Sequence, residues 1–413
     1  MWRSNGDDLV SVRRDAVSIG GRTEHAGGAR GPLPRDGRST LRTPRPRTAL
    51  GTLAPGGTDE GASLVRGGGE CAPGAGRSNG CAERAPRRRV RDERPSFDRA
   101  IKPGGYQWFY LDATSDDGRS SIVVIALLGN PFSPAYARAR SSRARSSEGE
   151  RARALSFCAM NVAVYGPGRS FWALTERAIE DNSRGRSGVQ IGASTMERVG
   201  DDLVVDIRER TSPFGRPLRG RVVLKPTAET RGGYALDASG EHAWWPIAPS
   251  ARAFVELDEP FLRFSGCGYH DANAGDVPLE ASFSRWSWSR AGIEPGRTII
   301  HYDVRSKAGE RRVHALDLDR HGDARDVTNL HVASLPTTAW ALDREAVTES
   351  ISPRDCALPT VVRELEDTPF YARALVRSQL AGRRAVSMHE TLSVERLERA
   401  WARFLLGFRM GRG

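Results

Sequence analysis

The chain of 413 residues has little lysine, few cysteines and no long apolar run. Only Lys102, Lys225 and Lys307 accompany 59 arginines, and 44 Gly and 24 Pro add to the bias. Such usage reads as a GC-rich genome rather than a chosen basic surface. Five cysteines (Cys71, Cys81, Cys158, Cys267 and Cys356) include no close CxxC pair. That excludes a disulfide framework and a zinc-ligand spacing, and points to a reducing compartment. The longest apolar run, Ile122 to Leu128, is far below the roughly 20 residues of a membrane-spanning helix. No basic start followed by an apolar stretch marks a secretory signal. An integral helical membrane protein and a simple secreted protein are both disfavoured. P-loop and GxGxxG motifs are missing, as are the HxH and HxxxH spacings of many metal sites.

What is present is unevenly spread. Of the net charge of +11, residues 1–95 carry +7, from 18 Arg against 11 Asp and Glu. This arm has few aromatics and no sustained periodicity, so it cannot bury enough apolar surface to offset chain entropy. It is expected to be disordered. An arginine-rich arm can bind nucleic acid, yet no aromatics interleave with the arginines and no nucleic-acid motif follows. Nucleic acid is therefore not the expected partner.

Order is expected to begin at Pro103 and Gly104. From there to about residue 345 the chain reads as short strands punctuated by Gly, Pro and Asp. Leu203, Val205 and Ile207 alternate, as do Ile300, Tyr302 and Val304, and Arg221–Lys225 and Ala253–Leu257 are similar β-type runs. Many strands at this spacing predict an all-β barrel or sandwich, and about 240 residues suffice for two such units. The expected division is 1–95 arm, 96–240 first β unit, 241–350 second β unit carrying the site, and 351–413 a short helical C-terminal region. Within that last region one helix is expected over Thr360–Leu380, interrupted near Pro369. A second places Leu397, Ala400, Trp401, Phe404, Leu405 and Phe408 at helical spacing. That stripe either packs on the barrel or lies on a membrane surface.

One glycine-rich loop, Gly266 to Gly275, holds Tyr269, His270, Asp271 and Asn273. Upstream lies EHAWWP (241–246), where alternation puts His242 and Trp244 on one strand face. Downstream, RWSWSR (285–290) does the same for Trp286 and Trp288. Together these suggest an aromatic cavity with one or two acids. The plainer readings are a core histidine, an ordinary turn and core-filling tryptophans.

Eight ordered stretches go further. GGYQWFYLDATSDDG (104–118), NPFSPAYARAR (130–140), CAMNVAVYG (158–166), WALTER (172–177), HAWWPIAP (242–249), GYHDANAG (268–275), PLEASFSRWSWSRA (278–291) and LEDTPFYARALV (365–376) resemble the carotenoid 1,2-hydratase family, also called hydroxyneurosporene synthase. The likeness runs from about residue 100 to the C-terminus, and the arm departs from it. The resemblance implies two lipocalin-like β-barrel units and a cofactor-free addition of water across the terminal C1–C2 double bond of acyclic carotenoids such as neurosporene or lycopene. It places the acid at Asp271, with Tyr269, His242 and Trp244 beside it, His242 either orienting Asp271 or taking a proton from water. Since the substrate lives in a bilayer, it further implies peripheral contact with the cytoplasmic face of a bacterial inner or photosynthetic membrane. Two alternatives share the scaffold: a polyene or prenyl cyclase or pericyclase, and a non-catalytic carotenoid or lipid carrier. Neither the preferred carotenoid nor the oligomeric state is legible from the residues.

Overall fold

The computed structural model describes residues 89–90, 94–141, 153–349 and 358–412. The expected disordered arm, 1–95, lies almost wholly outside the described residues, as do Cys71, Cys81 and Cys356. Strands dominate the rest. β1 (Tyr106–Ser115), β2 (Ser121–Leu128), β3 (Cys158–Tyr165) and β4 (Ser170–Arg177) pair antiparallel in chain order. The run Ile122 to Leu128 is thus a strand, sheltered by neighbours on both sides. β5 (Asp202–Arg210), β6 (Pro217–Ala228), β7 (His242–Glu259) and β8 (Phe261–Gly275) continue the meander, and β8 returns to pair with β1. With shorter strands the sheet numbers 14 among the described residues.

This sheet curls around its own core. Leu203, Val205 and Ile207 bury against Leu111, Val124, Val162 and Val255, as their alternation predicts. The curl nearly closes: the Ser212 amide, just past β5, donates to the Trp172 carbonyl of β4 at 2.9 Å, and Arg177 pairs with Glu209 at 3.3 Å.

A second, seven-stranded sheet follows. It includes β9 (Phe283–Glu294), β10 (Arg297–Ser306), β11 (Arg311–Leu318), β12 (Thr360–Asp367), β13 (Tyr371–Leu380) and β14 (Arg383–Ser393). β14 pairs with β9, bringing the last strands beside the first. A second core fills the space between the sheets. Trp108, Tyr110, Trp244 and Tyr269 come from the larger sheet, and Trp286, Trp288, Tyr302 and Leu392 from the smaller.

Four expectations change. The boundary at 240/241 does not separate the sheets, because β7 and β8 belong to the larger one and the break falls between Gly275 and Phe283. Thr360–Leu380 is not a helix but the hairpin of β12 and β13, turned at Thr368, whose Oγ1 accepts the Tyr371 amide at 2.9 Å. The glycine-rich segment is strand, not loop. Its glycines serve close approach: a Cβ on Gly266 would stand 1.9 Å from the Thr114 carbonyl oxygen. Lastly, among the described residues of the C-terminal region, helices occupy only Val394–Leu397 (α1) and Ala400–Arg409 (α2). On α2, Ala402 and Leu406 face inward, whereas Phe404 and Phe408 are 66% and 68% exposed. The apolar stripe therefore points largely away from the protein.

Candidate functional site

β8 carries Tyr269, Asp271 and Asn273 on the face toward the second sheet, and Ala272 and Ala274 into the barrel core. Trp244, on the neighbouring β7, reaches Asp271 from the side. Its indole N–H donates to Asp271 Oδ2 at 2.9 Å, and the Tyr269 hydroxyl donates to the same oxygen at 2.8 Å. Asp271 Oδ1 is buried and has no partner among the described residues. An oxygen accepting two hydrogen bonds is the carbonyl-like one, so the acid proton belongs on Oδ1.

The Asp271 carboxyl stands at about 8: burial raises it most, the Trp244 and Tyr269 hydrogen bonds pull it part of the way back, and the negative charges of Glu390 and Asp112 add to the rise. The group is thus a neutral acid at pH 7.

Trp108, Tyr110, Trp286, Trp288, Tyr302 and Glu390 join Asp271 and Asn273 around a recess of about 30 Å³. That is the share of one water molecule. The Tyr302 hydroxyl donates to Asn273 Oδ1 at 3.0 Å, and Trp288 packs against Tyr110 and Tyr269 with ring centroids 5.3 and 5.2 Å apart. Trp108, Tyr110, Trp286 and Glu390 also wall a larger, mostly apolar cavity of about 120 Å³ that runs beneath α2 to Leu405, Leu406 and Arg409. The two spaces share walls, and the acid sits at the inner one.

The structure thus gathers Asp271, Trp244 and Tyr269 but sets His242 apart. Its Nδ1 meets the Tyr106 hydroxyl and its Nε2 the Ser282 hydroxyl, both at 2.9 Å, and neither nitrogen reaches Asp271. Burial lowers its pKa, keeping the ring neutral. A Cβ on Gly275 would lie 2.6 Å from His242 Nδ1 and 2.3 Å from the Tyr106 ring, so this position needs glycine. Tyr106 stacks on Trp108 at 4.9 Å, so His242 braces the cavity wall. His270 lies on the opposite face near Phe109, its Nδ1 on the Tyr110 carbonyl at 2.8 Å. Among the described residues no cluster of three or more His, Cys, Asp or Glu side chains is placed to hold a metal. Sequence reasoning missed Tyr110, Tyr302, Arg373 and Glu390. They lie on separate strands, and although Tyr110 and Arg373 fall inside stretches quoted above, nothing local joins the four to Asp271.

A family model described as carotenoid hydratase CrtC matches residues 124–413. Acyclic carotenoid 1,2-hydratase of Thiocapsa roseopersicina is 38% identical over 413 residues, covering 100% of this chain and 96% of the relative. The enzyme of the same name from Rubrivivax gelatinosus is 40% identical over 389 residues, covering 94% and 93%. That from Cereibacter sphaeroides is 33% identical over 275 residues, covering 66% and 92%. The first alignment spans residues 1–95 too, so the arm is not wholly foreign to such relatives.

Proposed function

The chain belongs to the carotenoid hydratase CrtC family, and from that premise we propose that it adds water across the terminal C1–C2 double bond of an acyclic carotenoid, with Asp271 as the acid. The observation that carries this reading is Asp271 itself: buried at a recess, with Oδ1 free of partners among the described residues.

Water is too weak an acid to protonate an isolated alkene. The Oδ1 proton goes to C2, because the positive charge then falls on the tertiary C1. As it leaves, the hydrogen bonds from Trp244 and Tyr269 stabilise the carboxylate that remains. Nearby ring faces, Trp288 above all, stabilise the cation by roughly 0.5–2 kcal/mol each. Water then bonds to C1, giving a 1-hydroxy carotenoid. His242 acts as a positioning residue through Tyr106 and Trp108.

Tyr269→Phe removes one donor that holds the Asp271 pKa down. The pKa of Asp271 rises, the acid weakens, and hydration falls by roughly 10–100-fold. The alkaline limb of the pH–rate profile moves upward, and a limb that stays in place or moves down sinks the assignment. The primary test incubates purified protein with lycopene or neurosporene in detergent. A product heavier by one water with no new ring supports the hydratase. A cyclised isomer favours the cyclase alternative, and binding without turnover favours a carrier.

The outer cavity has room for about four waters, so it takes the end of a polyene and leaves the rest outside. Its roof, α2, presents Trp401, Phe404 and Phe408 to the exterior. Such a face suits peripheral docking on the cytoplasmic side of a bacterial membrane, where the substrate dissolves. Wild-type protein should co-sediment with anionic liposomes, and a Phe404→Glu/Phe408→Glu variant should bind several-fold less while still hydrating carotenoid in detergent. Wild-type protein left in the supernatant would end this part of the proposal.

A further inference from the structure

Glu390 enters the site from the second sheet, on β14, directly across from Trp288 of β9. It is 8% exposed and lines both the Asp271 recess and the outer cavity. Two groups fix it. The Tyr110 hydroxyl donates to Oε1 at 2.9 Å, and Arg373 Nε donates to the same oxygen at 2.8 Å. Oε2 accepts no hydrogen bond among the described residues. Arg373 is itself almost fully buried, so its charge faces Glu390 with little screening by water. The recess is thus bounded by two unlike carboxyl groups. Asp271 is held by neutral donors alone, whereas Glu390 is ion-paired. Two carboxyl groups in contrasting surroundings mark an acid and a base.

We propose that Glu390 is a second catalytic carboxylate, accepting a proton from the water that bonds to C1 after Asp271 has protonated C2. This rests on the hydratase reading and extends it. The π pair of the alkene forms the C2–H bond with the Asp271 proton, and the former O–H pair stays on Asp271. A water lone pair forms the C1–O bond. One O–H bond of that water breaks, its electrons remain on oxygen, and the proton passes to Glu390 Oε2. After product release the proton returns to Asp271 through solvent, so the cycle consumes one alkene and one water. Arg373 and Tyr110 are positioning residues: both hold Oε1, which leaves Oε2 for the water.

Without a base, the cation still forms but is captured slowly, and it reverts by losing a proton. The test follows that branch point. Wild type, Glu390→Gln and Glu390→Asp proteins are incubated with lycopene in D2O, and mass spectrometry reads both hydrated product and deuterium in the recovered alkene, including its isomer with a terminal methylene. For Glu390→Gln we expect hydration to fall by about 10²–10⁴-fold. The ratio of deuterated alkene to hydrated product should rise at least tenfold. Glu390→Asp, with the carboxylate kept but withdrawn by one methylene, should restore part of the hydration and lower that ratio. Hydration by Glu390→Gln within threefold of wild type overturns the proposal. So does loss of hydration and deuteration in equal proportion, which means that Asp271 alone was disturbed. If Glu390→Gln does not fold, Glu390→Asp decides, and a wild-type ratio in that variant overturns it. Wild-type turnover in the same assay judges the hydratase reading separately, and a wild type that makes no hydrated product takes both down.

Discussion

Asp271→Asn is expected to cut carotenoid hydration by at least about 10³-fold while leaving the fold and carotenoid binding in place. The amide reproduces the shape of the neutral acid. Its oxygen can accept from Trp244 and Tyr269, and its N–H2 can face the recess where the acid proton stood. What it lacks is a proton it can give up. Stability should move the other way. The carboxyl of Asp271 is raised from its ordinary value to about 8. Between an unfolded value of about 4 and the folded one, the folded state holds the extra proton. Each unit of rising pH in that window therefore costs wild type roughly 1.4 kcal/mol, and the loss is complete once pH passes the folded value. The amide variant has no such slope. Urea unfolding near pH 5 and near pH 9 should show the variant gaining on wild type at the higher pH. A variant that keeps hydration within tenfold of wild type removes Asp271 from the chemistry. Equal pH slopes in the two proteins would show that it is not the buried proton carrier described above.

The second large effect falls on stability. Arg373 of β13 is 1% exposed and gathers Glu390 at 2.8 Å, the Tyr165 hydroxyl at 2.6 Å and Glu366 at 3.4 Å. Its guanidinium also lies 5.3 Å from the Tyr371 ring centroid. Replacing Arg373 by Met keeps the volume and deletes the charge, leaving two carboxylates without their main counter-ion. Breaking a buried pair in this way costs about 3–5 kcal/mol. Replacing both members is far milder, so the double variant Arg373→Met/Glu390→Gln should recover at least half of the loss in urea denaturation. A single variant less than about 1 kcal/mol below wild type would mean that solvent reaches this pocket freely.

The strands that alternate were the ones most easily read. β5 buries every second residue because one side faces the barrel core and the other faces out. β13 is covered on both sides, and period-two patterning fades when both faces are buried. Over Thr360–Leu380 that loss, with Pro369 in the middle, imitated an interrupted helix. The grouping of Asp271 with its two donors was legible because Trp244, Tyr269 and Asp271 sit in short motifs on adjacent strands. Glu390 was not, since its partner Tyr110 is 280 positions away and only the pairing of β9 with β14 brings it home. The spacing of His242 on β7 was legible too, yet nothing local said that Tyr106 would meet its Nδ1.

β8 pairs with β1 over ten consecutive residues, from Gly266 opposite Ser115 to Gly275 opposite Tyr106. Its odd-numbered residues from Tyr269 look into the site, and Ala272 and Ala274 into the barrel. A single inserted or deleted residue in this ribbon would exchange the two sets, steering a carboxyl into hydrocarbon and a methyl group into the seat of the acid. Substitutions along β8 are graded injuries, but a change of length is a change of sides. The segment between Gly266 and Asp271 should therefore keep its count among working relatives, even where Cys267 is replaced.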